Sequence, residues 1–305
     1  MKKLIIAMIT FFLVTFSLST ATYAWVAMTR TNVVDDIYLS ATLGDDLEIS
    51  LDGINYYSEL PKELLLSYLK AARLTAVTSS DGVNFSHLYG EGVIKNKDYL
   101  SLKFYFRTSS RRERDVYLVN NISNELTYQD LNNKEGTYAV SKGIEFKSPF
   151  TYLYDIDEYV YEGEVKKYYA HDALRIATIF LEEESEVVKI FDLSNNEHRG
   201  YGKVYGAYDY YQKSSGKTLT LPTATPPTIY ELSEFSPSEP FSYDEVSKVM
   251  ELNEIKVVDE KTYYHGDLTI NIWLEGWDAD LFDPVIYDRL KIKLQFKAVR
   301  STINS

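Results

Sequence analysis

The chain has 305 residues, 45% hydrophobic and 25% charged, a globular composition long enough for one large domain or two small ones. Its net charge is −13, and −15 once Lys2 and Lys3 are set aside with the leader, a field that repels nucleic acid and anionic headgroups. With no Cys, disulfides, zinc–thiolate sites and thiol nucleophiles are excluded, and the fold must stand on its core alone.

Lys2 and Lys3 form a short basic region ahead of the apolar run Leu4–Leu18. Thr22-Tyr23-Ala24 then offers small residues at the −3 and −1 positions of a cut before Trp25. The spacing predicts export. Uncharged residues continue to Met28, enough to span a bilayer as a helix, so residues 1–24 read either as a cleaved signal peptide or as a retained anchor. Both place the acidic bulk outside the cytoplasmic membrane. The expected partners at this end are the membrane and a signal peptidase.

Residues 25–305 read as a single β domain. Leu47, Ile49 and Leu51 alternate with Glu48 and Ser50. The same period of two recurs at Leu100–Phe106, Leu268–Leu274 and Leu290–Ala298, as in strands with one wet face. Ala173–Phe180 and Val187–Phe191 are denser apolar runs, expected to be more deeply buried strands. The 27 Tyr residues suit half-buried sheet surfaces. Helical signal is thin: Pro61 opens a short helix over 62–70, and Ser242-x-x-Glu245 is a capping box for another. The prediction is a mainly β chain: an antiparallel, jelly-roll-like β-sandwich, a few short helices in connections, and an amino-terminal hydrophobic helix.

Asp52-Gly53-Ile54-Asn55-Tyr56 and Asp81-Gly82-Val83-Asn84-Phe85 echo each other. Each supplies the positive φ of a tight turn. Residues 201–241 break the composition: Gly- and Tyr-rich at first, they hold five of the eight prolines. Such a stretch cannot be a central strand and reads as a surface excursion from one domain.

No HExxH, GxSxG or Walker loop is present, and His87, His171, His198 and His265 lack ligand spacing. Gly200-x-Gly202-x-x-x-Gly206 misses the dinucleotide spacing by one residue. Two acidic groups remain, Asp155/Asp157/Glu158 and, after Glu275, Asp278/Asp280/Asp283. Hard oxygen ligands of this kind can take Ca²⁺, but neither run has EF-hand spacing, and solvated loops are expected. No cofactor is implied and no catalytic residue is assigned.

Two resemblances follow from these residues. The junction Ala21-Thr22-Tyr23-Ala24-Trp25 is similar to the leaders of the TasA/camelysin group of exported proteins, which are handled by a dedicated signal peptidase. The run Ile272-Trp273-Leu274-Glu275-Gly276-Trp277-Asp278-Ala279-Asp280 resembles the IWLEGxDxDC signature of TYAWF-leader surface proteins of Firmicutes and Mollicutes, with Leu281 in place of the Cys. Trp273 and Trp277 are expected to pack around a fold-defining Gly turn.

The resemblance and the strand pattern imply an exported cell-surface or matrix subunit. It would assemble with itself or other surface components by strand addition, with Trp25–Leu39 as the donor. An alternative is a glycan- or peptide-binding module using Tyr201–Tyr211. A hydrolase using two convergent carboxylates is a third reading.

Overall fold

The computed structural model describes residues 3, 8–13, 32–41, 46–71, 73–88, 92–110, 114–121, 126–129, 134–182, 184–235, 242–285 and 287–300. The first 31 residues cluster as a unit separate from Asn32–Ser305. Of that unit, residues 8–13 are helical, and no helix among the described residues is long and apolar enough to cross a membrane. Thr22, Tyr23, Ala24 and Trp25 lie outside the described residues.

The domain is mainly β, as its alternating sequence predicts. It opens with β1 (Val33–Ala41) and β2 (Leu47–Ser50), followed by helix α1 (Lys62–Ala71). Pro61 precedes α1, where no backbone donor is needed, and Leu65 and Leu69 press into the core. Next come β3 (Ala76–Thr78), β4 (Ser86–His87), β5 (Leu100–Thr108), β6 (Arg114–Leu118) and β7 (Tyr138–Ser141). Two small ladders follow, built from β8 (Ile144–Lys147), β9 (Tyr152–Asp155), β10 (Glu158–Val160) and β11 (Val165–Tyr168). Of these, β9 pairs with β10 and β8 with β11. The hairpin β12 (Leu174–Glu182) and β13 (Ser185–Asp192) leads to helix α2 (Ala207–Ser215) and the short β14 (Thr228–Ile229). The chain finishes with β15 (Lys248–Leu252), β16 (Glu254–Val258), β17 (Lys261–Glu275) and β18 (Arg289–Arg300).

Apart from those two ladders, the strands form two large sheets. The five-stranded sheet runs β1-β18-β6-β15, with β7 also on β18. The nine-stranded sheet centres on β17, which carries β16 and then β12 along one side, and β5 and then β3 along the other. One hydrophobic cluster draws on both sheets: Ile37, Val116 and Ile292 from the first, Phe104, Ile176 and Ile270 from the second. Phe106 of β5 meets Phe296 of β18 edge to face, ring centroids 4.9 Å apart.

Four expectations need correction. Most pairings are antiparallel, but β1–β18, β13–β14 and β17–β3 are parallel. Period-two spacing fixes which side chains share a face and is silent on strand direction. Ser242 does not start a helix: its hydroxyl donates to the Glu234 carbonyl and accepts from the Asp244 N–H in a turn leading to β15. The 201–241 stretch is not a simple excursion, for it contains α2, whose Tyr210 is buried among Tyr152, Phe150 and Phe282. Trp25–Leu39 cannot serve whole as a donor strand, because residues 33–39 already pair with β18 of their own chain.

Candidate functional site

The Ile272–Asp280 run lies where β17 ends. Leu268, Ile270, Ile272 and Leu274 point into the main core. The opposite face is not wet: Trp273 is fully buried in a second cluster with Val77, Ala177 and Ile190, with Phe85 against its ring at 5.3 Å. Gly276 donates its N–H to the Val77 carbonyl at 2.8 Å and lies against Leu88. The Glu275 carboxylate accepts from Trp273 Nε1 at 2.9 Å and from the Trp277 N–H at 3.1 Å. Burial raises its pKa, and those hydrogen bonds and Arg175 pull back against the shift. Trp273 is buried at this turn, whereas Trp277 is only half-buried.

Past Glu275, two arginines take up the acids. Arg175, itself 2% exposed, bonds Asp278 and forms an ion pair with Asp192 at 2.9 Å. Asp192 also accepts the Ser194 hydroxyl at 2.6 Å. The Arg199 Nε donates to Asp280 at 2.8 Å, and its Nη1 reaches Asp155 at 3.3 Å. Its guanidinium lies 3.8 Å from the centre of the Tyr154 ring. Asp155 is held in turn by His198 Nε2 at 2.6 Å. Burial pushes Asp278 and Asp192 up, and Arg175 opposes both shifts. The carboxylates of this cluster are turned onto guanidinium groups and backbone donors, so its chemistry is the pinning of four chain segments. A buried charge left without its partner is costly, which makes the cluster stiff.

This overturns the solvated-loop expectation for Asp278 and Asp280, which are 1% and 8% exposed. Asp283 stands apart and exposed, at the start of a 3₁₀ turn over Asp283–Val285. Among the described residues no group of three His, Asp or Glu converges as a metal site. Asp157 and Glu158 are exposed, while Asp155 belongs to the cluster. Arg175, Asp192 and Arg199 escaped the sequence reading. The signal was Arg175 itself, a charge between Leu174 and Ile176 in an apolar run, which demands a buried acid.

Ser141, His171 and Asp172 form a smaller polar group. The Ser141 Oγ is 2.9 Å from His171 Nδ1, and His171 Nε2 is 3.4 Å from Asp172. A nucleophile needs an open hydroxyl and free backbone donors beside it. Ser141 is buried, and the N–H groups of Lys142 and Gly143 already donate to Arg289 and Asp288. Burial holds the His171 imidazole down to about 4, neutral at pH 7, so the trio fastens β7 to the turn over Ala170–Ala173.

The tyrosines of 201–211 are mostly committed too. Tyr205 and Tyr210 are buried, and Tyr208 donates its hydroxyl to the Leu219 carbonyl at 2.9 Å.

The other end of β17 differs. With β16 it makes a hairpin, Val258 opposite Lys261, closed by Asp259 and Glu260 at φ of 49° and 65°. Two consecutive positive φ values match the right-handed twist of a two-residue hairpin. All five β16 residues are exposed, Ile255 at 61% and Val257 at 68%. Because 258 and 261 flank the turn, residues 254, 256 and 258 direct their backbone groups at β17, and Ile255 and Val257 direct theirs outward. Among the described residues no strand pairs with that outer side.

Comparison of the chain with family models, with curated proteins and with solved structures finds no match.

Proposed function

We propose that this chain is an exported cell-surface or extracellular structural protein whose β domain assembles by strand addition. Its leader delivers it across the cytoplasmic membrane and is either removed by a signal peptidase or kept as an anchor. The five- and nine-stranded sheets act as the two layers of a sandwich, a reading supported by the core they share.

The observation that carries the proposal is the outer edge of β16, exposed along its length and lined by Ile255 and Val257. Natural sheets cover, shorten or charge such edges, and one left uncovered is a template for another strand. The donor role expected of Trp25–Leu39 therefore passes to an acceptor or partner edge on β16. The binding-module alternative is weakened, since Tyr210 is in the core and Tyr208 is tied to Leu219.

The test has two arms. Cell fractionation should find the chain outside the cytoplasm or on the outer membrane face. Analytical ultracentrifugation of the purified full chain in mild detergent should find an associated species whose share rises with concentration. A monomer at all concentrations would remove assembly, and a cytoplasmic pool would remove export.

A further inference from the structure

We infer that the β16 edge receives a second copy of itself, antiparallel, with Ile255 on the two-fold axis. The inference rests on assembly by strand addition and names the partner and the register.

The argument starts from which groups face out. Ile255 and Val257 present their N–H and C=O groups to the open side, so Ile255 of one copy can exchange both bonds with Ile255 of the other. Such a pair sets Cα atoms about 5.5 Å apart. The flanking residues then meet as non-hydrogen-bonded pairs, where strands bring side chains closer, with Cα atoms about 4.5 Å apart. In this register Glu254 of each copy stands opposite Lys256 of the other. Two opposite-charge pairs form at once, and a two-fold interface repeats any favourable contact.

Neighbouring registers are worse. Centring the axis on residue 256 sets the two Lys256 side chains against each other at the close spacing. Centring it on residue 257 sets Lys256 opposite Val258 with no countercharge and runs the pairing past the strand into the Asp259-Glu260 turn. Like charges directly opposite are destabilising, so the charge pattern selects one alignment.

Lys256 on an edge ordinarily guards against pairing. Here it is half-exposed and held at 3.0 Å by Glu254 of its own strand, also half-exposed. An exposed pair of this kind contributes little, so exchanging it for the intermolecular pair costs little. A guard whose countercharge sits two residues away selects a partner carrying the same pair in reverse order, which is a second copy of this chain.

The absence of Cys makes the test clean. Ile255→Cys in the full chain, in mild detergent under mild oxidation, should give one disulfide-linked dimer, since a Cα separation of about 5.5 Å suits a disulfide. In that background Glu254→Lys and Lys256→Glu should each lower dimer yield about tenfold, by turning two attractive pairs repulsive. Mixing the two variants should restore cross-linking between them. The double swap E254K/K256E should cross-link as the parent does. If the parent chain oligomerises by sedimentation but I255C gives no dimer, or the single charge variants cross-link undiminished, the edge is wrong while assembly survives. If the parent stays monomeric, both proposals fail together.

Discussion

One strand, β17, has two contrasting ends. At its carboxyl end Trp273, Leu274 and Glu275 are buried, and the chain beyond is riveted by Arg175 and Arg199. At its amino end Lys261 and Thr262 are exposed, and β16 beside them is exposed throughout. Each end carries one of the twin Asp-Gly turns. In both, the Asp accepts from the two N–H groups beyond the glycine, and a Ser hydroxyl three residues before the glycine accepts its N–H at 2.9 Å. The closed-end copy lies against the sheet, with Asn271 donating to the Gly82 carbonyl at 2.8 Å. The open-end copy is less covered, with Gly53 over the Tyr105 ring, and there Tyr56 reaches His265 at 3.3 Å and, with Tyr263, brackets the Arg107 guanidinium. Local sequence builds the same turn twice, and what lies beneath it decides how much it matters.

The contrast can be broken most sharply at Arg175. Arg175→Met leaves Asp192 and Asp278 buried without their cation and should destabilise the fold by about 3–5 kcal/mol in urea unfolding. An effect under about 1 kcal/mol would mean that the cluster is not what closes this end.

The twin glycines come next. Both have φ near +71°, so Ala carries a similar backbone strain of about 1–2 kcal/mol at either site. At Gly82 the added carbon would lie 2.7 Å from Ala177 Cβ, whereas at Gly53 it would meet only the Tyr105 ring at 3.5 Å. Gly82→Ala should therefore cost about 3 kcal/mol or more, and Gly53→Ala about half of that. Equal losses by chemical denaturation would erase the difference between the ends.

A pH scan sharpens the comparison further. Burial pushes the Asp172 carboxyl up to about 7, helped by the nearby Asp280 and opposed by Arg199. A raised acid favours the folded state most below its ordinary pKa, and that contribution is lost as pH rises from about 4 through 7. Asp172→Asn should gain on the parent across that window in thermal melts. The gain should be modest, since 36% of the side chain meets solvent, which screens its charge. Smallest of all, Val257→Thr on the open edge should change unfolding stability by less than about 0.5 kcal/mol.

The sequence made the strands legible because burial is periodic. The spacing of Leu268, Ile270, Ile272 and Leu274 identifies the core face of β17, and Asp-Gly identifies both turns. It did not reveal what covers the second face. Nothing in the alternation of Asn271 and Trp273 says that residues 79–85, almost two hundred positions away, fold over them. The acid cluster failed for the same reason: Asp278 and Asp280 look like a wet loop until Arg175 and Arg199 are brought across. The open edge was hidden as well, since an exposed strand and a paired one share the same letters.

The pairing of β1 with β18 has a mechanical consequence. The two strands run in the same direction, with Val33 beside Arg289 and Ala41 beside Phe296. Tension applied upstream of residue 33 and downstream of residue 300 therefore pulls them along their axes in opposite senses. The ladder is sheared, with its evenly spaced bonds loaded together rather than peeled one after another. A pull applied across these two ends would be met by the whole seam at once.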